Sequence, residues 1–371
     1  MKNAAFIGTP KIHEVFAPEL VAKMQSEMNF PIPEILTAEN LPKYEEQTKT
    51  VEYLFSTWGM LKLSSEEIDR YFPNLRAVFY AAGTVQAFAR PFIEKGIAVF
   101  SAWAANAVPV AEYTLAQIIL ANKGFFTLMH KPGSGPVWNR KKGAGLYTGN
   151  YETKVGIIGA GMIGKLVIQK LKALDKIDVL VFDPFLPDEK AEELGVTKVD
   201  LHTLFAECTI ISNHLANNEQ TKGMLNAECF NRMGKSAVFI NTGRGAQVVE
   251  DDMIAALKAE PERIALLDVT YPEPPLPESE LYLLPNVILT PHIAGSPHNE
   301  IHRMAEFMYE EYSSFDKGEP TRYSVSLKML ETMARAKKNS ITDPKKRSSK
   351  PLNAQAQKFR GMTTSPVSPK R

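Results

Sequence analysis

Short apolar runs separated by amphipathic stretches set the pattern of the first hundred residues. AAFIG, VEYLFST, LRAVFYAAG and GIAVFSAW have the length and the β-branched or aromatic content of strands. Between them, FAPELVAKMQSEM and SSEEIDRYF carry their apolar residues at helical spacing. The second opens with Ser64 or Ser65 as N-cap ahead of Glu67 or Glu66. Strands alternating with helices predict a parallel sheet with helices on its faces. Residues 108–126 read as a long helix, apolar nearly all round, of the kind buried between domains or subunits. The loop HKPGSGPVWNRKKGAG, rich in Gly, Pro and basic residues, then breaks the pattern.

Six further strand candidates follow from residue 154: KVGIIG, DVLVFD, TIISNH, AVFINT, IALLDV and VILTP. Helical patterns such as EDDMIAALKAE separate most of them, and the proline-dense YPEPPLPESELYLLP reads as loop. The first of the six runs into Gly159, Gly161 and Gly164, then a helix, then a strand ending at Asp183, 19 residues beyond the last glycine. This strand–turn–helix–strand–acid unit binds the ADP half of a dinucleotide. Gly159 permits the tight turn, Gly161 lets the backbone approach a pyrophosphate, and Gly164 lets helix and strand pack closely. The helix start at Met162 and Ile163 offers free N–H groups and a positive dipole end. Asp183 suits a ribose 2′-OH and repels a 2′-phosphate, and Pro184–Phe185 adds no cation, so NAD is expected over NADP.

The late helix EIHRMAEFMYEEYSSFDKGE comes after the second set of strands is complete, so it is expected to return to the first. The fold class is therefore α/β: two doubly wound parallel-sheet domains, a Rossmann domain inserted into a discontinuous flavodoxin-like one. The expected boundaries are 1–106 with 293–330 for the substrate-binding domain, 107–292 for the dinucleotide domain, and 331–371 for a tail.

Composition narrows the class. The chain has 371 residues, 44% hydrophobic and 23% charged, and its net charge of +1 hides an asymmetry. Residues 335–371 carry a balance of +10 and the remainder −9. The tail, rich in Lys, Ser and Pro, has no apolar period and is expected to be disordered. Its KKRSSK segment could contact nucleic acid or an acidic partner, serve as a nuclear address, or be a solvated extension. Two cysteines, Cys208 and Cys229, show neither disulfide nor metal-ligand spacing, so no metal site is expected. The N-terminus lacks a signal-peptide pattern, and no run is long enough to span a membrane. A cytoplasmic protein is expected.

A dinucleotide domain implies hydride transfer, and the protein must still hold a substrate's charge and manage a proton. Three residues near strand C-termini could do so. Arg244, bracketed by Gly243 and Gly245, offers a fork of donors matched to a carboxylate. His292, in PHIAGS, is the natural proton donor near neutral pH, and Glu273 would orient it and favour its charged form. Taken singly, each has a plainer reading: a subunit contact, a helix cap, a solvated loop acid. Their co-occurrence beyond the right strands favours the catalytic one.

These residues bring the chain into line with a family. Residues 1–330 resemble the D-isomer-specific 2-hydroxyacid dehydrogenases, most strongly in VGIIGAGMIG, in FINTGRGAQVVEDDMIAAL and in ALLDVTYPEPPLPESELYLLPNVILTPHIAGS. The resemblance implies an NAD-dependent interconversion of a 2-keto acid and a D-2-hydroxy acid. It makes Arg244 the anchor of the substrate carboxylate and carbonyl, His292 the acid/base and Glu273 its partner. Thr242, Asp268, Ala294 and Gly295 match positions lining the nicotinamide end, and His214 keeps the place of the family's HxPxT histidine. Substrate contacts are implied within Ser56–Gly59 and Ala82–Val85, including Trp58, Gly59, Ala82, Gly83 and Thr84. A homodimer through helix 108–126 is implied as well. Departures are AAGTVQAF for the usual glycine-rich turn, HLANNEQT for HxPxT, and Thr270 for the usual aromatic. The rival reading is a dinucleotide-sensing scaffold, similar to corepressors on this fold, with the basic tail as its interaction segment.

Overall fold

A computed structural model describes residues 1–129 and 147–332. The Gly/Pro-rich loop from residue 130 and the basic tail from residue 333 lie outside the described residues.

Four apolar runs of the first hundred residues are strands: β1 (Lys2–Phe6), β3 (Tyr53–Ser56), β4 (Ala77–Tyr80) and β5 (Ala98–Ser101). A two-residue edge strand, β2 (Met28–Asn29), was not legible as a run and completes a parallel sheet of order β2-β1-β3-β4-β5. Every residue of β3 and β4 is buried, because helices cover both faces, which is why these strands read as continuous apolar runs. Helix Ser65–Tyr71 is capped by Ser64. Its hydroxyl accepts from the Glu67 N–H at 3.2 Å, and the Glu67 carboxylate accepts from the Ser64 N–H at 2.8 Å.

The late helix spans His302–Lys317 and ends at Gly318 in the left-handed region, φ 71°. Its stripe of Met304, Ala305, Met308 and Tyr312 is buried in one cluster with Phe55, Phe79 and Phe100 of the first sheet. Phe79 stacks on Phe55 at 5.2 Å and on Phe100 at 5.0 Å, while Tyr312 meets Phe55 and Phe79 edge-on at 5.8 and 5.9 Å. The chain thus returns to its first sheet after the second is finished.

The second sheet holds the six expected strands: β6 (Thr153–Ile158), β7 (Ile177–Phe182), β9 (Ile210–Asn213), β10 (Val238–Asn241), β11 (Ile264–Leu267) and β12 (Val287–Leu289). A second short edge strand, β8 (Thr197–Lys198), makes seven, all parallel, in the order β12-β11-β10-β9-β6-β7-β8. Chain direction across the sheet reverses between β6 and β9. Such a switch point opens a crevice at the strand C-termini where ligands bind.

The long helix differs from its sequence reading at both ends. It spans Trp103–Asn122, five residues earlier at the start, and carries Pro109 in its interior. A proline at the first helical turn would have been the ordinary placement; here the preceding turn continues because Ala104, Ala105 and Ala107 are buried. Gly124 follows its last turn in the left-handed region, φ 68°, and a Cβ there would also lie 2.2 Å from the Tyr147 ring. The helix is long and apolar enough to cross a membrane, but over half of its most apolar window is buried within the protein, as in a core helix. Ala105 packs in the first sheet's cluster and Ala111, Ile118 and Ala121 in the second's, so one rod serves both sheets. Both sheets belong to one compact unit.

Met308 is fully buried among the first sheet's aromatics. Met308→Ala should lower the unfolding free energy by about 2–5 kcal/mol, read as a shifted denaturant midpoint. A loss typical of surface positions would show that the late helix is not integral to that core.

Candidate active site

β6 ends at Ile158 and the chain turns through Gly159 with φ 92°. A Cβ on Gly159 would lie 3.0 Å from the His214 carbonyl oxygen, and one on Gly164 would lie 2.0 Å from the Gly159 carbonyl oxygen. Both glycines are steric necessities. Gly161 differs: a Cβ there would meet nothing within 4 Å. Its bareness keeps a space open in front of helix Met162–Leu171, whose first N–H groups, at Met162 and Ile163, have no partner within the helix. Asp183, just past β7, accepts the Ala160 N–H at 2.7 Å on one oxygen and the Phe185 N–H at 2.8 Å on the other. The acid is pinned over the glycine turn, and a carboxylate retains lone pairs for a further donor. Open space, helix N-terminus and fixed acid together fit the phosphates and ribose of a dinucleotide.

His214, at the end of β9, is buried beneath this turn. Its Nε2 lies 2.9 Å from Ser212 Oγ and its Nδ1 3.4 Å from Thr242 Oγ1, which in turn meets Thr114 Oγ1 at 3.3 Å. Burial pushes its imidazole down to about 3, so it is neutral at working pH. Thr242 is likewise buried.

The turn carrying Arg244 is held by three carboxamides with no counterpart among the expected site residues. Asn241 Oδ1 accepts from Gly243 N–H at 3.1 Å and from Asn213 Nδ2 at 3.0 Å. Gln247 Oε1 accepts from Asn213 Nδ2 at 2.6 Å and from Arg244 N–H at 3.1 Å. All three are buried, so their pairing is obligatory. For Asn213 and Asn241 the available signal was a polar residue closing an otherwise apolar strand; Gln247, in the turn Gly245–Gln247, carried none. Gly245 has a sharper reason: a Cβ there would lie 2.0 Å from the Thr270 carbonyl carbon. The Arg244 turn and the loop toward Glu273 therefore lie flush. Burial lowers the Arg244 guanidinium from its ordinary value, and the Glu273 charge opposes that.

His292 Nδ1 lies 2.6 Å from Glu273 Oε1. An ionised carboxylate only accepts, so Nδ1 carries the hydrogen and Nε2 is the free ring nitrogen. The imidazole is partly exposed, unlike His214, and so reachable by a substrate. Asp268, 3% exposed, sits behind it. One carboxylate oxygen accepts from Thr290 Oγ1 at 2.6 Å and Ile293 N–H at 2.9 Å, the other from Ala294 N–H at 3.0 Å. Gly295 passes Asn106, whose Oδ1 accepts the Ser296 N–H at 3.0 Å; a Cβ on Gly295 would lie 3.2 Å from that oxygen.

The expected first-domain contacts lie on the other sheet. Trp58 is 40% exposed, and its carbonyl accepts from Thr9 Oγ1 at 2.9 Å. Gly59, φ 95°, would place a Cβ 2.4 Å from Thr9 Cγ2. Ala82 is buried, with its carbonyl accepting from Ser101 Oγ at 3.0 Å; Gly83 faces open space and Thr84 follows it. These loops continue from β3 and β4, so they too lie at strand C-termini.

Residues 115–294 match the model of the D-isomer specific 2-hydroxyacid dehydrogenase NAD-binding domain. Over 238 residues the chain is 33% identical to a D-3-phosphoglycerate dehydrogenase of Archaeoglobus fulgidus, covering 64% of this chain and 44% of that protein. It is 36% identical over 169 residues to a glyoxylate reductase of Korarchaeum cryptofilum, covering 46% and 51%. The chain thus spans about half or less of the length of these relatives. A crystal structure of a phosphoglycerate oxidoreductase from Rhizobium etli superposes with a TM-score of 0.75 at 23% identity, over 89% of this chain and 100% of that one, which speaks to the fold. With the glycine turn, the Arg244 turn and the His292–Glu273 pair all inside the matched span, residues 115–294 form an NAD-binding domain of the D-isomer specific 2-hydroxyacid dehydrogenase family.

Proposed function

We propose that the protein is an NAD-dependent oxidoreductase that interconverts a 2-keto acid and a D-2-hydroxy acid. The observation that carries this reading is the 2.6 Å pair of His292 Nδ1 and Glu273 Oε1, in a loop set flush against the Arg244 turn. The cofactor, when bound, would supply the hydride for the carbonyl carbon. Gly161, Met162, Ile163 and Asp183 would hold its ADP half, and Thr242, Asp268, Ala294 and Gly295 would line its nicotinamide end. The protein's own residues do the rest.

Arg244 holds the substrate carboxylate and carbonyl oxygen through its guanidinium fork. The carbonyl oxygen gains negative charge as its carbon is reduced, and the proton held at His292 Nε2 passes to it. Glu273, bonded to Nδ1, fixes the ring so that Nε2 is the nitrogen offered. His214 is unsuited to this work, because its ring is buried and uncharged. In the domain division that this mechanism uses, residues 1–106 and 293–330 supply the substrate loops at Trp58–Gly59 and Ala82–Thr84, and 107–292 the cofactor side.

Purified protein mixed with NADH and a panel of 2-keto acids should consume NADH, followed by its absorbance. His292→Ala should lower kcat by about 10²–10⁴-fold while leaving NADH binding intact. Arg244→Lys should raise KM for the keto acid and lower kcat, since an ammonium cannot make the bidentate contact. A wild-type protein that binds NADH yet reduces no 2-keto acid would favour the sensing scaffold.

Asp183 is the expected discriminator between dinucleotides. Asp183→Ala should narrow the ratio of kcat/KM with NADH to that with NADPH by about tenfold or more, from loss of a charge-assisted hydrogen bond and of repulsion toward a 2′-phosphate. An unchanged ratio would remove Asp183 from that role.

A further inference from the structure

Two hydroxyl groups that the mechanism above leaves unused join the long helix to the turn carrying His292. Thr290 Oγ1 lies 2.6 Å from Asp268 Oδ1. The carboxylate can only accept, so the one Thr290 hydroxyl proton is committed to it. Tyr113 Oη lies 3.1 Å from the same Thr290 oxygen. With that proton committed, Tyr113 is the donor of the second bond. The result is a directed chain, Tyr113 to Thr290 to Asp268, in which each bond polarises the next.

The chain ends on a carboxylate with a particular set of other partners. Asp268 is buried, and among the described residues its carboxylate's other hydrogen bonds come from the amides of Ile293 and Ala294, the two residues after His292. Its own N–H is fixed to the Asn241 carbonyl at 3.0 Å, so the post itself does not float. Tyr113 stands on helix Trp103–Asn122, which packs in the cores of both sheets. The neighbouring Thr114 meets Thr242 from the same turn of that helix. A valine or phenylalanine would fill these two places with nearly the same volume, so packing alone does not call for hydroxyls here.

We propose that Tyr113 and Thr290 are positioning residues, which through Asp268 hold the His292 turn in register with the helix shared by the two sheets. In this role they act through Asp268. The proposal rests on His292 being the proton donor, and it predicts that the imidazole's placement is referenced to the helix rather than to its own loop.

The test uses the full chain with Thr290→Val, Thr290→Ser and Tyr113→Phe. For a 2-keto acid that the wild type reduces, kcat should fall by about 10–100-fold in Thr290→Val, the scale of a displaced catalytic group. Tyr113→Phe, which removes one neutral hydrogen bond at the far end, should cost about 3–10-fold. KM for NADH should change less than kcat, because the ADP half is held elsewhere, and Thr290→Ser should recover most of kcat. A second readout needs no turnover: amide hydrogen exchange at Ile293 and Ala294 should quicken in Thr290→Val and recover in Thr290→Ser, with the amides of β11 unchanged. Unchanged exchange at 293 and 294, or equal quickening throughout β11, would overturn the proposal, the latter by showing a general loss of stability. If the wild type reduces no 2-keto acid, the proposed activity fails, while the exchange experiment still decides whether these hydroxyls hold the turn.

Discussion

Desolvation at the ends of buried parallel strands is the constraint on which this structure turns. β3, β4, β9, β10 and β11 are buried along their whole length, so they can be built only from residues that need no water. Chemistry is therefore displaced to their carboxyl ends. Polar side chains placed there remain mostly buried and must satisfy one another. Asn213, Asn241 and Gln247 do so around Arg244, and Ser212, His214, Thr242 and Thr114 do so beneath the glycine turn. Each network is a consequence of burying the strand that carries it.

The same constraint explains why glycine marks the site so densely. A strand end that must approach another backbone has no room for a side chain. At Gly164 and Gly245 a Cβ would lie 2.0 Å from main-chain atoms of Gly159 and Thr270. These contacts bring helix onto strand in one case and the Arg244 turn onto the Glu273 loop in the other. Gly161 is the exception that gives the turn its use, since there the missing Cβ leaves space and not contact.

Much of this was legible in the sequence, and the remainder was hidden for identifiable reasons. The long strands and the glycine unit announce themselves because apolar runs and turn residues report local requirements. β2 and β8 do not, because two-residue edge strands are defined by pairing with a neighbour and not by any pattern of their own. The helix start at Trp103 was obscured by Pro109, which local rules place at a first turn and tertiary packing tolerates seven residues in. Arg244, Glu273 and His292 stood out as candidates through their residue types and their place beyond strands. Asn213, Asn241 and Gln247 were not, since a carboxamide in sequence says nothing of its partner. Asp268 was read only as a lining residue; that both of its oxygens also accept from the His292 turn needed the structure.

The conformation of that turn shows why a buried carboxylate is the appropriate post. His292 has φ 56°, in the left-handed region that costs a non-glycine residue roughly 1 kcal/mol or more. Reversing the hand of the backbone at one residue swings the following N–H groups to a common side, making a small concavity lined with donors. An anion is the natural occupant, and Asp268 supplies it by accepting from Ile293 and Ala294 at once. Hydrogen bonds to a charged acceptor are worth about 1.5–3 kcal/mol each, enough to offset the local strain. The strained residue is also the one whose ring must point at Glu273. Holding the amides after it, and not the ring, leaves Nε2 free while removing the turn's freedom to relax.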